Sequence, residues 1–343
     1  MKTLADISWL VSEEEYRADP ALSYSTLAKF AREGFNKIDT LFDKVESPSL
    51  TFGSAVDSII TGGIQEFEER FLVADFPAIS DSVLKMIKES FSRCSQNYRD
   101  LNDIPTQILI DISEELKYQL NWKPETRAKV VKEQGAEYYS LMYIAQDKTI
   151  IDTITYEKVL AAVDALRNSS ATATYFANDD IIERQYQLKF KHTFDGIDYK
   201  CMMDLAIIDH NNKIVHPIDL KTSSHTEWDF PDSFITWGYA IQAKLYWNIL
   251  RANMDKDEYF KDFELDDYRF IVVNKNTLTP LVWKFEDTKK YGKLTYGKNN
   301  QIEIPDPFEL GRQLSIYLSS RPRVPEGINI DSDNSITKWL NNK

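Results

Sequence analysis

The sequence is poor in the residues that several kinds of functional centre require. It has two cysteines among 343 residues, whereas an iron–sulfur cluster is usually held by four, so we expect no such cluster. The four histidines show none of the paired spacings of a tetrahedral zinc site. No apolar run approaches the length that spans a bilayer, and the first one, ISWLV, is soon followed by three glutamates. These absences predict a soluble, cytoplasmic protein with no membrane partner.

Positive charge is also scarce. Lysine and arginine number 41 against 54 aspartates and glutamates, which gives a formal net charge of −13, and a polyanion normally binds a basic surface. One stretch, residues 284–298, is rich in lysine interleaved with two tyrosines. Either Lys289, Lys290 and Lys293 grip the phosphates of DNA while the tyrosines stack on its bases, or the stretch is a solvated loop. Because a carboxylate site is acidic only until its metal binds, the net charge still permits a nucleic-acid partner.

Two candidate strands carry an ordered set of charged residues. The segment KIVHPIDLKT is rich in apolar and β-branched residues and follows the turn-forming HNN, which predicts a strand over 213–221. The preceding segment YKCMMDLAIID is its expected antiparallel partner. Because side chains alternate along a strand, Asp219 and Lys221 share a face. A hairpin of this length brings Asp204 near Asp219.

This set has an ordinary and a functional interpretation. An Asp-x-Lys pair on a strand is commonly an exposed ion pair of little energetic value. Here Ile218 and Leu220 point to the opposite face of an apolar strand, which favours a cleft for the pair. Asp204 lies in an apolar run, where a carboxylate is costly to bury without a cation. We expect Asp204 and Asp219, with the carbonyl oxygen of Leu220, to bind Mg²⁺. Lys221 would then orient or deprotonate the attacking water, or stabilise charge on the phosphate.

The longer stretch GIDYKCMMDLAIIDHNNKIVHPIDLKTSS, followed by ITWGYAIQAKLYWNIL, resembles the PD-(D/E)XK nuclease superfamily. Within it the resemblance is to the RecB-like branch and its RecE-type phage and prophage exonucleases. It covers residues 50–62 and 180–250, about a quarter of the chain. The motifs are short, but the order of an aspartate strand, DLKT and GYxxQxxxY on the next helix is specific.

The resemblance assigns roles by position. Asp204 matches the aspartate of the family's second motif, and Asp219 and Lys221 match the acidic residue and the lysine of the third. Gln242 and Tyr246 match a helix motif that approaches the active site in that family. At i and i+4 they share a helix face. The alternative is that both belong to an ordinary amphipathic helix packed on the sheet.

Two further candidates follow from the resemblance, and one departs from its pattern. FGSAVDSII resembles the first motif, a helix whose small residues allow close packing and whose polar residue faces the metal. Relatives usually have a histidine where Asp57 stands, which puts a two-metal arrangement in doubt, although an aspartate oxygen suits Mg²⁺, or Mn²⁺ as its substitute. Glu183 matches a glutamate on the strand before the hairpin. It would lie about four residues from Asp204 along the sheet, so it is a less direct candidate ligand.

The chain is long enough, with 43% hydrophobic residues, to bury a sizeable core. We expect an α/β or α+β fold in which helices flank a mixed central sheet, a restriction-endonuclease-like nuclease core with an N-terminal helical elaboration. The predicted parts are an N-terminal segment with the first-motif helix (1–63), a helical insertion (64–175) and the nuclease core with a C-terminal helix (176–343). Strands are predicted at 181–192, 198–209, 213–221, 267–275 and 280–286, and helices at 233–252 and 306–320.

The resemblance implies Mg²⁺-dependent hydrolysis of DNA. The expected enzyme is an exonuclease acting on double-stranded ends in phage-type recombination, beside a single-strand annealing protein, in a bacterium or an infected host cell. Relatives form rings, so we expect a homo-oligomer, a trimer or tetramer rather than a dimer. Two alternatives stay open: a RecB-like endonuclease or repair nuclease, and an inactive nuclease-fold protein that binds DNA or acts as a scaffold. The complete set of Asp204, Asp219 and Lys221 argues against the second.

Overall fold

The chain folds into a mixed β-sheet with helices on both faces. The computed structural model describes residues 2–42, 47–177, 182–298 and 301–320. Its helices are α1 (Glu13–Ala18), α2 (Tyr24–Glu33), α3 (Pro48–Arg70), α4 (Asp81–Cys94), α5 (Thr106–Glu115), α6 (Pro124–Ala145), α7 (Thr153–Asn168), α8 (Ala173–Phe176), α9 (Phe230–Trp237), α10 (Tyr239–Met254) and α11 (Pro307–Ser320). Its strands are β1 (Phe71–Val73), β2 (Thr149–Ile151), β3 (Ile182–Phe194), β4 (Ile197–Asp209), β5 (Ile214–Ser223), β6 (Glu264–Leu265), β7 (Tyr268–Asn274), β8 (Pro280–Phe285), β9 (Leu294–Tyr296) and β10 (Ile302–Ile304). Within the described ranges, no helix combines the length and the apolar composition that crossing a bilayer requires.

The central sheet has the order β3-β4-β5-β7-β8, and β6 lies beside β5. Strands β3, β4 and β5 are antiparallel neighbours, β5 pairs with β7 in parallel, and β8 returns antiparallel to β7. The expectation of a mixed central sheet flanked by helices is confirmed. The parallel pair at its centre is covered on both faces, as apolar parallel strands require.

The β3–β4 hairpin turns at the Asp-Gly pair of the predicted FDGI turn. Phe194 pairs with Ile197, so Asp195 and Gly196 alone form the loop. Both take positive φ angles, 51° and 77°, which a two-residue turn of type I′ requires and which aspartate and glycine tolerate. The turn fixes the register of the whole hairpin, and this register sets Asp204 beside the middle of β3.

Apolar side chains cover both faces of the sheet. Helices α2, α10 and α11 pack on one face, called here the α10 face. Helices α3 and α7 pack on the other, the α3 face. Helices α4, α5 and α6 share a separate apolar core, within the range predicted as a helical insertion. Helix α7 also lies in that range, but it packs on α3 and the sheet. The two helices that cover this face of the sheet therefore come from before and after the α4–α6 unit in the sequence.

The helix predicted over 233–252 is wrong in one respect, since it is two helices that meet at Gly238. This glycine has φ 69° and ψ 38°, the left-handed conformation, and its N–H donates to the carbonyl of Ile235. A residue in this conformation ends a helix, so α9 stops at Trp237 and α10 leaves in a new direction. The periodicity of apolar residues continues across the break, which is why the pattern alone predicted one helix.

Replacing Gly238 by alanine is expected to lower the free energy of unfolding by about 1–2 kcal/mol, because a Cβ atom is disfavoured in the left-handed region. Gly238→Asn is the matched control, since it adds the same Cβ but asparagine adopts this conformation more readily. It should therefore lose less, as measured by denaturant unfolding. If both variants lose the same free energy of unfolding, the loss comes from the contact of the new Cβ with Cδ1 of Ile241, 3.2 Å away.

Candidate active site

Strand β3 changes its pleat at Gln187. Tyr186 and Leu188 are two residues apart and should point the same way, yet Tyr186 packs on the α3 face and Leu188 on the α10 face. Between them Gln187 adopts φ 52°. A non-glycine residue in the left-handed region is uncommon and is a frequent sign of a functional site. The side-chain amide of Gln187 consequently reaches α3, where it donates to both carboxylate oxygens of Asp57 at 3.0 and 2.9 Å.

Strand β4 makes the same change at Asp204. Met203 packs on the α10 face, whereas Leu205 packs on the α3 face. The half-buried Asp204 lies between them, and its Oδ2 accepts a hydrogen bond from the backbone N–H of Leu220 at 2.9 Å. The pairing of β4 with β5 ends at Leu205 and Ile218. Asp204 is the residue before Leu205 and Asp219 the residue after Ile218, so the structure brings these two acids together at the end of the paired region.

Asp219 is held from two sides. Its side chain is only 1% exposed, and its Oδ1 accepts a hydrogen bond from Nε2 of Gln242 on α10. Its Oδ2 forms an ion pair with Nζ of Lys221, but this contact lacks the geometry of a hydrogen bond. Among the described residues, Oδ2 of Asp219 and Oε1 of Gln242 are buried without a hydrogen-bond partner. Oδ2 of Asp219 still has the ammonium group of Lys221 beside it, whereas Oε1 of Gln242 has no such partner, and a cation or a donor from a ligand would satisfy this oxygen.

Lys221 lies against the ring of Tyr239. Its Nζ lies 4.9 Å from the ring centroid of Tyr239, a cation–π contact. Burial by itself would lower the pKa of Lys221, but the charge of Asp219, with smaller contributions from Tyr239 and Asp204, raises it. In this arrangement Lys221 keeps its proton. Of the roles considered for this residue, the geometry fits the stabilisation of negative charge better than proton abstraction.

Three carboxylates interact in this region. Burial raises the pKa of Asp57 to about 7, with Glu66 and Asp219 adding to the rise while Arg70 and Gln187 oppose it. Burial and the charges of Asp219 and Asp57 raise the pKa of Asp204 well above its usual range. Repulsion between these groups is relieved by protonation or by a bound cation.

The donor set fits a magnesium site that relies on few protein ligands. In the described part of the chain, no three histidine, cysteine, aspartate or glutamate side chains converge in a group that could hold a metal. Mg²⁺ usually keeps several waters and takes only one or two carboxylates together with substrate phosphates. Asp204 and Asp219 meet that requirement. The assignments of Asp57 and of the carbonyl oxygen of Leu220 as further ligands stay predictions.

Of the remaining predicted residues, Glu183 lies away from the carboxylates, whereas Tyr246 is buried close enough to interact with them. Glu183 pairs with Ile208 in the β3–β4 register, four positions from Asp204, and its Oε2 contacts Nε2 of His210 at 2.6 Å. Tyr246 is 8% exposed in the apolar core of the α10 face, where its ring packs against Tyr268. The structure therefore does not bring Glu183 to the carboxylates. Burial raises the pKa of Tyr246 above its ordinary value and the charges of Asp219 and Asp204 contribute, so the assignment of Tyr246 to the site stays a prediction.

The three candidate DNA-binding lysines all contact carboxylates. Lys289 lies 3.9 Å from Asp267, Lys290 lies 2.7 Å from Asp287, and Lys293 pairs with Glu303 at 2.5 Å. These acids offset the positive charge that the sequence displays. Phosphate binding by this segment stays a prediction, and the ion pairs favour the alternative of a solvated loop.

Three residues of the site were not anticipated from the sequence. Tyr239 stands inside the quoted GYxxQxxxY motif, which offered a signal, but it was not assigned a role. Tyr24 lies far away in the sequence, and its hydroxyl donates to the backbone carbonyl of Trp237 at 2.8 Å. Gln187 carried no recognisable pattern, because its position follows from a backbone distortion.

Comparison with known proteins gives little further information. No protein-family model matches the chain, and no curated protein matches it. Among solved structures, a protein from Eubacterium rectale named "Putative exonuclease" is similar over 91% of this chain and 85% of its own, with 14% sequence identity and a TM-score of 0.44.

Removing the amide that holds Asp219 is expected to destabilise the protein. In Gln242→Leu the buried Oδ1 of Asp219 loses its donor, which should lower the free energy of unfolding by about 1–3 kcal/mol in the presence of a chelator. Gln313→Leu on α11 is the control, because Gln313 is exposed and surface substitutions change stability by about 0.5 kcal/mol or less. Urea unfolding of both variants makes the measurement, and equal stabilities would contradict the role of Gln242.

Proposed function

We propose that this protein is a metal-dependent nuclease that hydrolyses phosphodiester bonds in DNA. The observation that supports this most directly is the buried Asp219 beside Lys221 and Asp204, at the point where β4 and β5 stop pairing. An acidic pair next to a protonated lysine is suited to a phosphate, because the acids bind a cation and the lysine offsets charge on the phosphate oxygens.

Each residue has a distinct task in this proposal. A bound Mg²⁺ supplies positive charge to the phosphate and lowers the pKa of the attacking water. Asp204 and Asp219 provide its carboxylate oxygens. Gln242 fixes the orientation of Asp219 through Oδ1, and Lys221 holds its positive charge in place over the ring of Tyr239. Lys221 can therefore stabilise charge that develops on the phosphate during hydrolysis.

The finer assignment depends on the family resemblance. It favours an exonuclease on double-stranded ends, and it also favours a ring-shaped homo-oligomer that works with a strand-annealing protein. A RecB-like endonuclease would share the same catalytic residues. Closed circular DNA separates the two activities, because an exonuclease needs an end.

The carboxylates and the lysine should each be necessary for cleavage. We expect each of the variants Asp204→Asn, Asp219→Asn and Lys221→Ala to reduce the Mg²⁺-dependent cleavage rate of end-labelled linear DNA on the order of 100-fold or more. The first two remove a carboxylate that would bind Mg²⁺, and the third removes the positive charge that would stabilise the phosphate. Glu183→Gln is the matched control, because this acid lies outside the site, and it should retain wild-type activity. A folded variant of the first three with near wild-type rates would remove its residue from the mechanism.

Metal binding should be visible without any substrate. Mg²⁺ is expected to raise the thermal unfolding temperature of the wild-type protein, because a ligand at 100 times its Kd stabilises the folded state by about 2.7 kcal/mol. Asp219→Asn should abolish this rise, and Asp57→Asn should require a higher Mg²⁺ concentration for it. If Asp219→Asn keeps the wild-type response to Mg²⁺, the metal binds elsewhere. If Asp57→Asn keeps it, Asp57 does not bind the metal and its role is the contact with Gln187.

A further inference from the structure

An exposed aromatic surface lies next to the candidate active site. Trp237, the last residue of α9, is 49% exposed, and Ile235 on the same short helix is 44% exposed. Trp228, just before α9, is 69% exposed. Burying a large apolar side chain is worth about 1.5–3 kcal/mol, so large apolar side chains left exposed on and beside one short helix indicate a surface available to a ligand.

Two tyrosines connect this surface to Lys221. The hydroxyl of Tyr24 donates to the carbonyl of Trp237 at 2.8 Å. The ring of Tyr24 lies 6.3 Å from that of Tyr239, and Tyr239 in turn carries the ammonium group of Lys221 on its face. The backbone of Trp237 is therefore linked to Lys221 through Tyr24 and Tyr239.

Arg32 adds a positive charge to the same surface. Its Cζ lies 5.5 Å from the ring centroid of Trp237, and its side chain is 40% exposed. Among the described residues it forms an ion pair with Glu33, at 3.4 Å. An arginine over a half-exposed indole offers both a surface for a base and a charge for the neighbouring phosphate.

We propose that Trp237 and Arg32 bind one unpaired nucleotide of the substrate, with its base stacked on the indole ring and its phosphate on the guanidinium. This rests on the proposed nuclease function. A base inside a duplex stacks on its neighbours, so its face is available to Trp237 only when the strand is unpaired near the site. Every base has such a face, and recognition should therefore be independent of sequence.

Stacking would also allow this acidic protein to bind a nucleic acid. The net charge is −13, and the lysines of the basic segment already contact carboxylates. A base–aromatic contact supplies affinity without requiring a strongly basic surface. Binding should then depend less steeply on salt than binding that rests on many phosphate contacts.

The test uses fluorescein-labelled single-stranded oligonucleotides and the full-length protein in EDTA, with Kd measured by anisotropy. Trp237→Ala should weaken binding about 5- to 150-fold, the equivalent of about 1–3 kcal/mol for one stacked base. Trp237→Phe should keep most of the affinity. Trp122→Ala is the control, because Trp122 is 39% exposed and contacts Tyr118, which belongs to the separate apolar core of α4–α6, and it should bind like the wild type.

An abasic scan gives the sharper readout. Removing single bases along the oligonucleotide should weaken wild-type binding at one position by the same factor as Trp237→Ala. The abasic site should have no further effect there in Trp237→Ala, because the two groups form one contact. An unchanged abasic effect in this variant, or wild-type affinity of Trp237→Ala, would overturn the inference.

The outcomes separate this inference from the proposed function. If the wild type cuts DNA but Trp237 does not affect binding, only the stacking site is wrong. If the wild type neither binds oligonucleotides nor cuts DNA with Mg²⁺, both proposals fail. If Trp237→Ala binds DNA normally but loses a concentration-dependent self-association seen by light scattering, the surface is a contact between copies of the chain and the inference is overturned.

Discussion

The burial of one carboxylate constrains the arrangement of the whole site. Asp219 is almost inaccessible, and an ionised group in that position is costly unless charges or donors surround it. Its own strand supplies Lys221, and α10 supplies Gln242. Replacing a buried ion pair by apolar residues is often neutral or stabilising. The presence of this pair therefore makes more sense for binding a ligand than for holding the fold together. The buried Oε1 of Gln242, which has no hydrogen-bond donor among the described residues, supports that view.

The surrounding elements reach Asp219 through local irregularities. Gln187 adopts a left-handed conformation and binds Asp57, while α9 and α10 separate at a left-handed glycine. Helix α3 approaches β5 so closely that a Cβ atom on Gly53 would lie 2.9 Å from Oγ1 of Thr222. This close approach is what the small residues of the first motif had suggested. Regular strands and helices alone would leave these polar groups farther apart.

The sequence predicted the parts that depend on short-range rules. Alternation along a strand placed Asp219 and Lys221 on one face, and the Asp-Gly turn fixed the hairpin that carries Asp204. The i, i+4 spacing of Gln242 and Tyr246 was less informative, because α10 is buried on most sides, and of these two residues Gln242 is the one that donates a hydrogen bond to Asp219. Tyr24 and Gln187 could not have been found in this way, since one depends on a contact across 213 positions and the other on a strained backbone. The ion pairs of Lys289 and Lys293 were not predicted, because their acidic partners, Asp267 and Glu303, are not close to them in sequence.

The N-terminal segment docks onto elements that are synthesised much later. Leu22 bridges to Tyr199 on β4, Lys200 reaches the carbonyls of Tyr16 and Asp19, and α2 packs against α10 and α11. Closing such long loops is entropically costly and slows folding. A growing chain that has not yet reached α10 lacks Gln242 and leaves α2 without a partner helix. The order of synthesis therefore delays completion of the candidate site until α10 has been made.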